Sequence, residues 1–263
     1  MRVDLHLHST ASDGLLAPGD LVGQAKAKGL EIIALTDHDT TAGLEEAHAA
    51  GKDCSIGVIS GIELSSDLDG IEIHILGYLL DYRNQQLQEL LEKIRLSRIQ
   101  RIKEMINRLN TLGFDLTWGE LAALGSKASS LGRPHVARLM VKKGYASSVK
   151  EAFDHWLGFG CKAYVPRFKL HPREAINIIH GAQGLAFLAH PGLLPRNNLV
   201  GQVAAWGLDG LEVFHPQHRQ EQVQVFLQQA EALTLHISGG SDFHGGPEES
   251  LGYIELYQPW LMD

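Results

Sequence analysis

The chain has 263 residues, 44% hydrophobic and 21% charged, an ordinary globular balance that excludes disordered and fibrous classes and suits one large domain or a domain with an insertion. No apolar run approaches the roughly 18 residues that span a bilayer, and the two cysteines, Cys54 and Cys161, offer neither a C-x-x-C site nor a disulfide framework. The net charge is −8, and the 14 His equal the 8 Phe and 6 Tyr together, an excess of the commonest metal-ligating side chain.

In chain order, short β-type runs alternate with helical ones, the pattern of parallel strands joined by helices. VDLHLH (3 to 8) is the first strand candidate, followed by PGDLVGQAKAKG, which starts with Pro and ends on Gly as a helix does. EIIALT (31 to 36) precedes the helical TAGLEEAHAAG, and IGVISGIEL (56 to 64) and IEIHILGY (71 to 78) supply two more strands. At 83 the alternation stops. NQQLQELLEKIRLSRIQRIKEMINRLNTLG repeats apolar residues at three and four positions, predicting one long amphipathic helix ending at Gly113, and PHVARLMVKKGY and SVKEAFDHWLG predict two shorter ones. After 169 the alternation resumes with PREAINIIHGAQG, GLAFLAH (184 to 190), GLEVFH (210 to 215), HRQEQVQVFLQQAEA and LTLHISGGSD (233 to 242), making seven strands. An α/β barrel-like body, 1–82 and 170–263, interrupted after its fourth strand by an all-helical insertion, 83–169, is expected.

The insertion carries 16 Lys plus Arg against 7 Asp plus Glu, a net of +9, whereas the remainder carries 7 against 24, a net of −17. Such asymmetry predicts a basic surface for an anionic partner and an acidic body able to hold cations.

Active sites of parallel α/β barrels lie at the C-terminal ends of the strands, and the chelating residues fall mainly there. His6 and His8 close the first strand with Asp13 in its loop; Asp37 and His38 follow the second; Glu63 lies near the end of the third and His74 in the fourth. His190 ends the fifth, Glu212 and His215 the sixth, Asp242 and His244 the seventh. Residues two apart on a strand point the same way, so His6 and His8 aim at one side together. Singly, each has a plainer explanation: a strand His is more often a satisfied core residue, and TDHD can cap a helix. Jointly, imidazoles and carboxylates at one rim predict a site for Zn²⁺, Mn²⁺ or Fe²⁺.

DLHLHS (4 to 9) with Asp13, TDHD (36 to 39), GIELS (61 to 65), IHILGY (73 to 78), AHP (189 to 191) and SDFH (241 to 244) follow one another in an order that resembles the PHP family, the polymerase and histidinol phosphatase domain. The resemblance implies a distorted (β/α)7 PHP-type barrel with a trinuclear centre. By motif, His6, His8, Glu63 and Asp242 would hold the first metal, Glu63 with His74 and His190 the second, and Asp13, His38 and His244 the third, with Asp37 supporting them. Three divalent ions are implied, Mn²⁺ foremost and Zn²⁺ or Fe²⁺ as alternatives. Many family members carry His where this chain has Asp13.

GRPH (132 to 135) and FGCKAYVP (159 to 166) resemble a branch of the family that removes the 3′-phosphate of nucleoside 3′,5′-bisphosphates, some members acting as 5′→3′ exonucleases on short RNA. The expected activity is therefore metal-dependent phosphoester hydrolysis by a metal-activated water, with Arg133 and His215 as catalytic candidates. Arg133, His135, Lys162 and His215 are the candidates for substrate contacts. A phosphatase for a small metabolite such as histidinol phosphate and a non-catalytic metal-binding module remain the alternatives. The expected partner is a small phosphorylated nucleotide or short RNA, with no membrane or protein partner implied. The first motif begins too early for a signal peptide to precede it, so a cytoplasmic setting is expected.

Overall fold

The alternating apolar residues of RVDLHL form β1 (Arg2–Leu7), buried on both faces from Val3 onward, as befits a strand with helices outside and side chains packed inside. The computed structural model describes residues 1–124, 132–166, 168–196, 198–246, 250–252 and 254–261. Two compact units result, one made of Met1–Glu89 with Lys169–Asp263 and the other of Leu90–Phe168.

The first unit continues with α1 (Pro18–Ala27), β2 (Ile32–Leu35), α2 (Leu44–Cys54), β3 (Gly57–Leu68) and β4 (Ile71–Tyr78). The long helix α3 (Gln85–Thr111) leads into the second unit, which holds α4 (Trp118–Leu124), α5 (Arg133–Lys142) and α6 (Val149–Ala152). The chain returns through α7 (Pro172–Gly181), β5 (Leu185–Leu188), α8 (Leu199–Ala204), β6 (Gly210–Phe214), α9 (Gln220–Ala232), β7 (His236–Gly239) and β8 (Ile254–Glu255). Among the described residues no helix is long and apolar enough to cross a membrane.

One eight-stranded sheet runs in the order β7-β6-β5-β4-β3-β2-β1-β8. It is nearly closed, because Leu7 bridges Phe243 in parallel and the His8 N–H donates to the Phe243 carbonyl at 3.0 Å. Two expectations need correction. The strands are not all parallel: β4 pairs antiparallel with both β3 and β5. The cause is the Asp69–Gly70 turn, whose two residues both have positive φ, 52° and 87°, the backbone that a two-residue type I′ hairpin requires and that Asp-Gly favours. β3 consequently runs to Leu68 instead of stopping at 64, and Glu63 lies in its middle. An eighth strand also exists, β8, pairing Ile254 with Val3 and Glu255 with Arg2. At two residues it is too short for alternation to reveal.

Inside the barrel, Val3, Leu5 and Leu76 pack with Tyr78, Phe187 and Trp260, three aromatic rings with centroids 5.0 to 5.2 Å apart. Leu7 instead packs with Leu21, Val22, Leu44 and Ala47 from α1 and α2. The face therefore switches between Leu5 and Leu7, where the register of β1 against β2 is irregular. Such an irregularity re-aims side chains, and here it sends His6 and His8 to the side that Leu5 occupies.

The second unit has its own core, in which Ile102, Ile106 and Leu109 of α3 meet Leu121, Val136, Met140 and Leu157. Gly113, at φ +95°, ends α3 where predicted. Helix α4 lies beyond the helices that the apolar periodicity predicts. Its signal is the capping box of Thr117 and Glu120, in which the Glu120 N–H donates to Thr117 Oγ1 at 3.2 Å and the Thr117 N–H to Glu120 Oε2 at 2.9 Å.

Candidate metal centre

Glu63 organises the rim of the barrel. Its Oε2 lies 3.3 Å from His6 Nε2, 3.3 Å from His8 Nε2 and 2.9 Å from His38 Nδ1. Its Oε1 lies 2.7 Å from His74 Nδ1 and 3.1 Å from His190 Nε2. One carboxylate thus faces five imidazoles drawn from four strands or their loops. The reversal of β4 makes this work: His74 sits opposite Ser65 in the hairpin, so a residue from the first half of an antiparallel strand reaches the rim that parallel strands reach with their last residues.

Asp242 is the second focus, its Oδ1 3.1 Å from His8 Nε2 and 3.5 Å from His6 Nε2. Asp242 and His190 have positive φ, 54° and 27°, left-handed backbone that non-glycine residues adopt at a cost of order 1–3 kcal/mol and that concentrates at functional sites. Asp13 Oδ1 meets His244 Nε2 at 3.4 Å, and the His244 ring stacks on His8 with centroids 4.1 Å apart.

Buried carboxylates hold these donors in place. Glu212, fully buried, faces His6 Nδ1 at 2.9 Å through Oε1 and accepts the His190 N–H at 2.6 Å through Oε2. With the Nδ1 proton directed at a carboxylate, the lone pair of a neutral His6 is on Nε2, pointing at Glu63, an arrangement typical of metal-ligating histidines. Asp37 accepts the Ser9 N–H at 2.7 Å and the hydroxyls of Ser9 and Ser12 at 2.7 and 2.6 Å, so it braces the loop that carries Asp13. Asp4 accepts from the backbone and hydroxyl of Ser241 at 2.9 and 2.6 Å. This ties the end of β7 to β1, where a Cβ on Gly240 would lie 2.4 Å from the His6 backbone nitrogen.

The electrostatics follow from burial against pairing. Burial alone would raise the pKa of Glu63, yet His38, His74 and His6 hold it well below the usual carboxylate range. Burial is likewise overcome at Asp13 by His38 and His244, and at Asp242 chiefly by His6. His8 goes the other way: burial, with His244 and His38 beside it, lowers it to about 3, leaving a neutral ring with one nitrogen lone pair to give.

Whether these residues suit metal ions can be tested on their unsatisfied atoms. His6 Nε2, both ring nitrogens of His8, His38 Nδ1 and Glu63 Oε2 are buried and make no hydrogen bond, a costly condition for polar atoms that cations between them remove. Three overlapping sets, His6, His8 and Glu63; His38, Glu63 and His74; and His8, Asp13, His38 and His244, each bring their donor atoms within 4.8 Å of one another. The nitrogen and oxygen donors suit divalent metal ions. His8 and His38 each belong to two sets, an overlap that the sequence motifs do not reveal.

His215 lies beside these sets, its ring 1% exposed and its Nε2 3.5 Å from Asp242 Oδ2. The Gln217 N–H donates to Nδ1 at 3.2 Å, so a neutral His215 carries its proton on Nε2, the nitrogen facing the site. The other three candidates belong to the helical unit. Arg133 opens α5 with its guanidinium 5.4 Å over the Phe153 ring. His135 is buried and its Nδ1 accepts the Gly132 N–H at 3.2 Å, which caps that helix. Lys162 is exposed. The sequence motifs assign no role to Glu212, Asp4 or Ser241; the only available signal was a carboxylate at the end of the sixth strand.

Comparison with known proteins agrees with this geometry. The family model described as PHP domain matches residues 4–165. A 5′-3′ exoribonuclease of Haemophilus influenzae is 36% identical over 97% of this chain and 93% of its own length. A 3′,5′-nucleoside bisphosphate phosphatase of Chromobacterium violaceum is 32% identical over 98% of this chain and 93% of its own. A solved structure from Bifidobacterium adolescentis, provisionally described as a metal-dependent phosphoesterase, superposes with a TM-score of 0.87 at 33% identity, covering 95% of this chain and 90% of that one. With a barrel of this topology, a rim of this composition and relatives matched almost end to end, the chain belongs to the PHP domain family.

Proposed function

We propose that the protein is a metal-dependent phosphoesterase that removes the 3′-phosphate from nucleoside 3′,5′-bisphosphates and also degrades short RNA from its 5′ end. The observation that carries this reading is the Glu63 carboxylate facing five imidazoles. The full-length relatives, a bisphosphate phosphatase and an exoribonuclease by name, support the substrate class.

In this reading His6, His8, Glu63 and Asp242 hold one ion, Glu63, His74 and His190 a second, and Asp13, His38 and His244 a third, with Mn²⁺ the foremost metal. Bound divalent ions supply hydroxide from water at neutral pH and neutralise phosphoryl oxygens. The chain's own residues do the rest. Glu212 and Asp37 keep the donors oriented. His215, with its Nε2–H directed at the site, donates a hydrogen bond to the ribose oxygen and stabilises the charge that builds there as the P–O bond breaks and the oxygen leaves with the bonding pair, its proton then coming from water. Arg133 contributes a planar guanidinium suited to bidentate phosphate contact, and Lys162 a point charge for the phosphate that is not cleaved. His135 acts through the turn that presents Arg133.

The test compares kcat/KM, with Mn²⁺ present, for adenosine 3′,5′-bisphosphate, AMP, histidinol phosphate and a 5′-phosphorylated oligoribonucleotide. The bisphosphate and the oligonucleotide should lead by at least an order of magnitude. A preference for histidinol phosphate would replace this reading with that of a small-metabolite phosphatase, and no turnover of any of them would leave a metal-binding module.

A further inference from the structure

In the helical unit Leu96, Leu112, Leu124 and Val149 are 37 to 53% exposed, and one apolar residue stands well beyond them. Phe159 is 87% exposed, the most exposed large hydrophobic residue among those described. It is not on a loose strand of chain. Gly158 donates to the Phe153 carbonyl at 2.8 Å and Cys161 to the Gly158 carbonyl at 3.0 Å, while Gly160 turns the backbone at φ +81°. The turn presents the ring outward.

Its neighbour is a second aromatic residue. The Tyr164 ring stands edge-on to Phe159 at 5.4 Å and 73°. The backbone of Tyr164 is fixed, since its N–H donates to the Cys161 carbonyl at 3.0 Å and its carbonyl accepts from Arg108 Nη1 at 2.5 Å. Arg101 Nε donates to the next carbonyl, Val165, at 2.8 Å. Alongside runs a groove of about 930 Å³ on the α3 face, with Ile99, Val165 and Pro166 as apolar lining, Arg101, Lys103 and Arg108 as cations and one carboxylate, Glu104, paired with Arg108 at 3.0 Å. Residues 90–168 hold 14 Lys plus Arg against 6 Asp plus Glu, a net of +8.

An exposed aromatic step beside a cationic groove is the combination by which proteins hold single-stranded nucleic acid without reading its sequence: rings stack on bases and the groove follows the phosphates. We propose that Phe159 and Tyr164 form a base-stacking platform for the uncleaved part of a single-stranded oligoribonucleotide. The net positive charge favours a polyanion over an apolar protein surface as the occupant. The choice of RNA rests on the phosphoesterase reading above; the platform itself rests on the ring geometry and the charge.

Fluorescence anisotropy of the full-length, metal-loaded protein with a labelled 2′-O-methyl oligoribonucleotide of about five nucleotides, within the span such sites cover, tests it without turnover. Phe159→Ala should weaken binding about 10-fold, and Phe159→Trp should bind as the wild type does. The platform is overturned if Phe159→Ala binds as tightly as the wild type, if Phe159→Trp fails like Phe159→Ala, or if the wild type does not bind the oligonucleotide. Hydrolysis of the bisphosphate, measured in parallel on the wild type, reports on the proposed activity alone. Its absence alongside Phe159-dependent binding would count against the catalytic reading and leave the platform standing.

Discussion

Glu212 and His6 are 206 positions apart in the chain, yet Oε1 of one lies 2.9 Å from Nδ1 of the other with both side chains fully buried. The same carboxylate accepts the His190 backbone N–H, so one residue of β6 orients the His6 ring of β1 and holds the backbone of the loop after β5. Glu212→Gln keeps the shape and removes the charge. It should lower metal affinity about 10- to 100-fold, read by titration calorimetry, with activity recovering at higher Mn²⁺. Unchanged affinity would show that Glu212 only fills space.

Asp37 accepts three hydrogen bonds from Ser9 and Ser12. Asp37→Ala leaves those buried donors without a partner, a loss of about 1–3 kcal/mol. Urea unfolding in the presence of a chelator measures this apart from any metal effect, and a change below about 0.5 kcal/mol would contradict the bracing role.

The histidines and carboxylates of the rim are legible in the sequence because strand geometry is local: two residues apart means one face, and a motif after each strand means one rim. What supports the donors is not legible in the same way. Glu212 meets His6, and Asp4 meets Ser241, across the sheet, and no periodicity links such positions. The reversal of β4 was written in Asp69 and Gly70, a strong hairpin dipeptide, but IEIHILGY alternates equally well in either direction, so strand pattern alone hides it. The two-residue β8 offers no period at all. The shared membership of His8 and His38 in neighbouring donor sets depends on side-chain positions that motifs do not encode.

His215 faces the site through Nε2 while a backbone N–H occupies Nδ1. His215→Ala should cut kcat for the bisphosphate about 10²- to 10³-fold, the usual range for a lost hydrogen-bond donor to developing negative charge, with metal content by mass spectrometry unchanged. A substrate with a good leaving group, such as an aryl phosphate, should be affected much less. Equal losses on both substrates would argue for a structural role.

On α2, His48 places Nε2 2.8 Å from the Ser60 hydroxyl, and burial, together with Lys52, lowers its pKa. The unfolded chain, with an ordinary histidine pKa of about 6.5, takes up the proton first as the pH falls. The contribution to stability is therefore complete above about pH 6.5 and is lost below it, towards the lowered folded-state pKa. His48→Gln should lose less stability than the wild type between about pH 7.5 and 5, measured as the change in unfolding free energy; parallel profiles would contradict this.

Glu63 is the residue on which the whole account turns. Metal content and bisphosphate turnover should be measured together on the wild type and on Glu63→Ala, with circular dichroism confirming that both are folded. The wild type should retain up to three divalent ions and turn over, whereas Glu63→Ala should retain at most one and be inactive. A folded Glu63→Ala protein that keeps the wild-type metal content and turnover would contradict this.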